Sequence, residues 1–314
     1  MKTSCLHEWA ASRGMASRVV GLDALELVRS RLKRLAAEGA LEAGFVKGSL
    51  DGFRYLSGCT VTAPRSLILL ALPRPAHVVS FRVGERDIEL LLPPTYVKYA
   101  PTFALVRGWL RNDHGLDSGQ ADLVHAPLKS LAAMAGLIRY GRNNLGYVPG
   151  LGSFVQLIGI VTSVDIEPDG ELLRIEDRSL GACESCRACA KACLTGAIGQ
   201  DRFLIRAERC FTLFSESNSP FPETITPPSA DCLIGCLKCQ EVCPANKGLL
   251  RREHTGLVFD GRETEAMLSG FEGCEASFLA DIRAKFSTLR TTEDIALFAR
   301  NLRMIVKGAA ENLA

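Results

Sequence analysis

Two short runs of cysteine carry the chemistry this chain could do. The first, 181-GACESCRACAKACLTGAI-198, spaces its thiols C-x2-C-x2-C-x3-C, with Leu194 where a proline usually follows. The second, 231-DCLIGCLKCQEVCPAN-246, places Cys236, Cys239 and Cys243 as C-x2-C-x3-C and ends on Pro244. Thiolates are soft, charged ligands suited to iron–sulfur clusters, and the first spacing is that of bacterial ferredoxins. A tight loop lets Cys183, Cys186 and Cys189 hold three irons of one cubane. Cys193 then belongs to a second cluster and Cys243 completes the first. The second cluster has Cys193, Cys236 and Cys239 and needs a fourth ligand. Position 233 is Leu, so two cysteines compete: Cys232, one residue out of register, and Cys210 in 208-ERCFTLF-214. Spacing alone leaves both open. Structural zinc also takes four thiolates, but zinc ribbons favour paired knuckles over a triple run ending in C-P. The expected cofactors are two 4Fe–4S clusters.

The rest of the composition fits a redox protein in a reducing compartment. Twelve cysteines, nine of them between Cys183 and Cys243, argue for metal and not for disulfides. Cys5, Cys59 and Cys274 stand alone and read as free thiols. The five histidines have no metal-type spacing, and 150-GLG-152 lacks the third glycine of a nucleotide fingerprint. No signal-peptide core is evident, and the longest apolar runs, such as 67-LILLALP-73, are too short to span a bilayer. A cytoplasmic protein with no membrane partner is expected. The net charge of +2 gives no sign of a strongly basic nucleic-acid surface.

Around the cysteines the patterning predicts an α+β chain. Leu25, Val28, Leu32 and Leu35 recur at helical spacing within 22–43. Residues 66–73 read as a buried strand, and HVVSFRV and DIELLLP flank 84-GER-86 as a hairpin. Residues 102–111 and 127–138 are predicted helical, and the β-rich run 153–166 closes a mixed domain. A Ser/Pro-rich loop, 215–229, interrupts the cysteine region, and from about residue 262 the pattern turns helical. Three domains are expected: an α/β domain at 1–178, a two-cluster ferredoxin-like domain at 179–250, and a short helical tail at 251–314.

One upstream stretch ties these parts together. The segment 135-AGLIRYGRN-143, then Gly152-Ser153-Phe154 entering a strand, then the two cysteine motifs, resembles the epoxyqueuosine reductase family over roughly residues 60–250. Members of that family are cobalamin-dependent iron–sulfur reductases, distantly related to reductive dehalogenases. The resemblance implies a nitroreductase-like α/β domain cradling cobalamin, with two clusters relaying electrons to the cobalt. It implies that Cys210, following Arg209, ligates the second cluster. It places Tyr140, Gly141, Arg142 and Asn143, with Ser153, at the cofactor. A family aspartate acts as proton donor; counting back without gaps gives Asp122, with Lys129 opposite a family arginine. The string 117-DSG-119 offers Asp117 if five residues are inserted. Burial beside the corrin would raise that carboxyl's pKa.

The expected function is a cytosolic reductase fed by a ferredoxin or flavodoxin and acting on a small molecule. The family's helical-repeat tail, which helps hold tRNA, is shorter here, and its basic residues are diluted by acidic ones. A tRNA partner is therefore expected to be unlikely. The alternatives are a ferredoxin-like electron donor, and epoxyqueuosine reduction on tRNA.

Overall fold

A computed structural model describes residues 2–96, 100–115, 119–177, 179–199, 204–217, 221, 231–288 and 294–311. Asp117 and most of the Ser/Pro-rich loop lie outside the described residues. The chain forms two compact units, each assembled from separate stretches: Met1–Pro73, Tyr99–Arg187 and Gln200–Ile205 in one, Arg74–Lys98, Ala188–Gly199 and Arg206–Ala314 in the other.

In the first unit, helix α1 (Thr3–Ala11) leads into strand β1 (Ala16–Val20), and the amphipathic helix α2 (Asp23–Ala37) follows, then a single turn, α3 (Ala43–Phe45). Strand β2 (Ser66–Pro73) matches the predicted apolar run residue for residue; its first six side chains are all buried, as a central strand covered on both faces requires. It pairs antiparallel with β1, Val19 opposite Ile68, and with β8 (Val155–Thr162), Ile68 opposite Ile160. Between them in the chain come helix α4 (Ala100–His114), the edge strand β5 (Ala121–Leu123) on β8, helix α5 (Leu128–Met134) and a small hairpin of β6 (Arg139–Tyr140) and β7 (Gly146–Tyr147). One sheet face packs Leu67 and Leu69 with Val28, Leu131 and Ile138; the other packs Ile68 and Leu70 with Leu6, Val106 and Leu110. Period-two alternation along β2 feeds both layers.

The second unit holds the predicted hairpin, β3 (Ala76–Val83) with β4 (Arg86–Leu92), which a sequential reading assigns to the first domain. Its third strand is β9 (Arg252–Phe259), parallel to β3 with a register shift between Val78 and Ser80. Short helices α6 (Ala188–Ala192), α7 (Phe211–Ser215) and α8 (Lys238–Glu241) carry or follow the cysteines. Helices α9 (Gly261–Ser269), α10 (Ala276–Thr288) and α11 (Ile295–Glu311) complete it. Asp260 caps α9 through a reciprocal capping box with Glu263, and Gly270 closes it. The tail is thus no appendage: Ile282, Phe286, Phe298 and Leu302 share one core with Phe81 and Phe259 of the sheet. Among the described residues no helix is long and apolar enough to cross a membrane.

Candidate iron–sulfur centre

Three of the predicted ligands meet inside the second unit. Cys193 ends the run that begins on α6, Cys210 immediately precedes α7, and Cys236 precedes α8. The Cys236 thiol is pushed up to about 11, first by burial and then by the nearby Cys210 and Cys193. The Cys210 thiol is likewise raised, chiefly by burial and further by Cys193. Against that rise, Cys210 sulfur accepts hydrogen bonds from the Thr212 and Leu213 backbone and the Thr212 side chain. Sulfurs buried together, repelling one another and met by N–H donors form a donor set that fits a bound iron–sulfur cluster. Among the described residues no three His, Cys, Asp or Glu side chains converge on a single metal ion. Cys239 lies on α8, which packs on α6, the helix bearing Cys189. Cys243 precedes the turn Pro244–Asn246, which holds the predicted C-P ending.

Cys232 has a different setting. Asp231 and Leu233 extend the sheet: Leu91 N–H donates to Asp231 O at 2.7 Å and Leu233 N–H to Leu91 O at 2.9 Å. That bridge fixes Cys232 between them, 4% exposed, its thiol raised by burial and then by Cys236. Cys210 lies near both Cys193 and Cys236, whereas among the cysteines Cys232 is influenced by Cys236 and not by Cys193.

The scaffold beneath these thiols comes from residues the sequence reading did not single out. Asn301 on α11 is 1% exposed and donates to Ser215 O at 2.9 Å and Leu233 O at 3.0 Å. Arg300 donates to Phe214 O at 2.7 Å and also reaches Ser217 O. The C-terminal helix therefore clamps both the turn after Cys210 and the strand before Cys236. A lone Asn on the apolar stripe of 295-IALFARNLRMIV-306 was the signal that could have found it. Ser215 Oγ in turn accepts from Gly235 N–H at 2.8 Å. Gly235 sits at φ +73°, and a Cβ there would lie 2.5 Å from Tyr96 Oη. Tyr96 donates to Glu216 Oε1; burial first, and then Glu216, keep that phenol well above its ordinary pKa. Burial raises Glu216 as well. A pocket beside Cys236 is lined by Phe211, Cys232, Gly235, Leu237, Lys238 and Glu241.

In the first unit, Cys183 and Cys186 are half-buried, and their peptide carbonyls are taken by arginine. Arg142 donates from Nη2 to Cys183 O at 2.6 Å and from Nε to Cys186 O at 3.2 Å. The residues expected around a corrinoid have partners within the first unit. Tyr140 is buried and hydrogen-bonded to Ser130, and burial raises its pKa. Asn143 Nδ2 donates to Tyr147 Oη at 3.0 Å. A Cβ at Gly141 would lie 2.5 Å from the Tyr147 ring, so this position admits glycine only. Lys129 Nζ donates to Asn144 O at 2.7 Å, and Ser153 is 9% exposed. Gly141 supplies no vacant cradle, Tyr140 and Asn143 are buried, and Arg142 is taken up by the cysteine loop. These residues do not by themselves fit a corrinoid.

Asp122, the ungapped proton-donor candidate, lies on the edge strand β5. Its carboxylate accepts from the Thr60 N–H and hydroxyl, both at 2.9 Å, and from its neighbour Leu123 N–H at 2.8 Å. Partial burial pushes its pKa up, but those hydrogen bonds together with Arg107 outweigh it and hold the carboxyl below its ordinary value. The expected upward shift is reversed.

Residues 182–246 match the family of 4Fe-4S double cluster binding domains. Over 123 residues the chain is 34% identical to epoxyqueuosine reductase of Bacillus subtilis (strain 168), covering 38% of this chain and 29% of that one. Over 231 residues it is 25% identical to epoxyqueuosine reductase of Staphylococcus aureus, covering 67% of this chain and 57% of the relative. The matches thus span well under two thirds of these relatives' own lengths. Solved structures extend the likeness. An epoxyqueuosine reductase crystallised with an epoxyqueuosine-modified tRNA-Tyr stem loop superposes with a TM-score of 0.66 at 20% identity, over 97% of this chain and 80% of that one. The Streptococcus thermophilus enzyme gives 0.65 at 16% identity, over 98% and 81%. That tRNA complex overturns the expectation that tRNA is an unlikely partner and a small molecule the substrate. The expectation leaned on a tail diluted in basic residues, but the tail's composition answers to a different demand, since its apolar residues fill the core of the second unit. Across nearly its whole length the chain has the fold of epoxyqueuosine reductases, and its cysteine-rich segment is similar to 4Fe-4S double cluster binding domains.

Proposed function

We propose that this chain is an iron–sulfur oxidoreductase that reduces an epoxyqueuosine residue in tRNA. What supports the reading is the fold likeness over 97% of the chain, which takes in the α/β unit and the tail as well as the cysteines. A bare ferredoxin would share only the segment 182–246. Reducing an epoxide takes two electrons and two protons, and bound 4Fe–4S clusters supply electrons one at a time. In this reading Cys183, Cys186, Cys189 and Cys243 hold one cluster, and Cys193, Cys210, Cys236 and Cys239 the other. The Thr212 and Leu213 amides orient the Cys210 sulfur, and α11 fixes the turn that presents them. Asp122 is the candidate proton donor; because its hydrogen bonds from Thr60 keep the carboxylate ionised at neutral pH, it must leave Thr60 and take up a proton from solvent before it can pass one on. A cytoplasmic setting belongs to the same reading and rests on the family resemblance.

The test is a turnover assay. Protein reconstituted anaerobically with iron, sulfide and cobalamin is mixed with dithionite, mediators and an epoxyqueuosine-containing tRNA-Tyr stem loop. Digestion and mass spectrometry should show the modified nucleoside losing its epoxide. Fully loaded protein that leaves the epoxide intact would overturn the proposal. The visible spectrum of the same sample reads corrinoid separately, as structured bands over the broad iron–sulfur absorption.

A further inference from the structure

Two guanidinium groups converge on the peptide carbonyls of the first cysteine loop. Arg142 reaches Cys183 O and Cys186 O at 2.6 and 3.2 Å. Arg187, inside the motif itself, donates from Nη1 to Glu184 O at 2.9 Å, to Cys186 O at 3.0 Å and more weakly to Cys183 O at 3.4 Å. Both side chains are half-buried, and their N–H groups are directed at carbonyl oxygens of ligand-bearing residues.

Arg142 is brought there by a stiff support. Its turn is closed by Gly141 N–H to Leu145 O and Asn144 N–H to Gly141 O, both at 2.9 Å. Lys129 holds the Asn144 carbonyl from below, and Asn144 takes the left-handed conformation at φ 58°. The strand entering the cysteine loop is tied to the same hairpin, Leu180 N–H donating to Tyr140 O at 2.8 Å. Hairpin and loop are therefore joined both through the backbone and through Arg142. A guanidinium suits this task better than an ammonium, since its planar fork can serve two carbonyls at once and keeps its charge at any working pH.

We propose that Arg142 and Arg187 are positioning residues that set the reduction potential of the first cluster. The inference rests on the two-cluster reading above. A cubane held by four thiolates is already anionic, and one-electron reduction adds a further negative charge with no bond made or broken. Fixed cations held on the peptide carbonyls of two ligand-bearing residues favour the more negative, reduced form, and their partial burial limits screening by water. Net charge and outer-shell hydrogen bonding are the levers a protein has on such a couple.

The experiment is a redox titration followed by electron paramagnetic resonance, on full-length protein reconstituted with iron and sulfide and reduced with dithionite through mediators. Arg142→Gln should shift one of the two cluster couples to lower potential and leave the other in place. The shift should be about tenfold in the reduction equilibrium, or about 59 mV for a one-electron couple. Arg187→Gln should move the same couple, whereas Arg142→Lys, which keeps the charge, should stay close to wild type. Iron content is measured on every sample. Glutamine variants with full iron and two unmoved potentials would overturn the inference. So would variants that lose iron while the remaining clusters keep wild-type potentials, because the arginines would then only hold the loop. A wild-type protein that takes up no iron and sulfide fails the two-cluster reading itself, a result distinct from either.

Discussion

Asp122 and Thr60 are joined twice: one carboxylate oxygen, Oδ2, accepts both the N–H and the hydroxyl of Thr60 at 2.9 Å. A carboxyl whose folded pKa is depressed stabilises the fold above its unfolded pKa, and that contribution is lost as pH falls through the lower folded value. Thr60→Val removes one donor, so the Asp122 pKa should rise. Stability at neutral pH should drop by about 1 kcal/mol, with less of it left to lose on acidification. Denaturant melts between pH 3 and 7, at roughly half-unit steps, would read both effects. If Asp122 donates a proton during turnover, the same variant should extend activity to higher pH, because the protonated form then persists further.

Cys210→Ser should lower the iron and sulfide content or convert one cubane to a three-iron cluster, whereas Cys232→Ser should leave both counts unchanged. The coupling of Cys210 to Cys193 and Cys236 motivates the first outcome, and the backbone bridge that holds Cys232 beside Leu91 the second. Iron and labile-sulfide analysis with electron paramagnetic resonance decides it; the opposite pattern would make Cys232 the ligand.

Asn301→Ala should destabilise the second unit by about 2–3 kcal/mol, since truncation leaves the Ser215 and Leu233 carbonyls buried without their donor. Asn301→Leu, which restores volume but not the donors, should recover little. Chemical denaturation of both variants, with and without reconstituted clusters, separates lost packing from lost hydrogen bonds.

Gly235→Ala should be costly beyond the usual Gly-to-Ala effect. Its backbone is left-handed, which costs an ordinary residue about 1–2 kcal/mol, and the new methyl would collide with Tyr96 Oη. Pairing it with Tyr96→Phe removes the oxygen and should recover part of the loss. A double-mutant cycle in thermal stability measures the coupling.

What could be read in advance depended on how local each feature is. The cysteine runs were legible because a cubane draws three ligands from one loop, so spacing alone encodes them. Strand β2 was legible for a similar reason, being an unbroken apolar run between two prolines. Strand β9 was not: 252-REHTGLVF-259 is mostly exposed, and its partner β3 lies far upstream in the chain. The family resemblance implied Cys210 as a ligand, but its nearness to Cys193 and Cys236 is tertiary information that cysteine spacing does not carry. Thr60 lies 62 residues from Asp122, and the direction of that carboxyl's pKa turned on it. Arg142 was noticed as part of a motif, but its target, two carbonyls more than forty residues later, belongs to tertiary structure.

The parallel pairing of β3 with β9, Ala76 opposite Arg252, bears on how the protein is made. Strand β3 leaves the ribosome long before its partner exists, on the order of ten seconds or more at ordinary elongation rates. Through that interval the hairpin β3–β4 has both edges open, the β4 edge until residues 231–233 arrive and the β3 edge until β9 does, and an uncovered apolar face, while the cysteines emerge one run after the other. Metallation during synthesis would have to act on thiols whose supporting helix α11 has not yet been translated. A nascent chain halted before β9 should therefore be hungry for a chaperone and poor at retaining iron, and cluster delivery should follow release of the finished polypeptide.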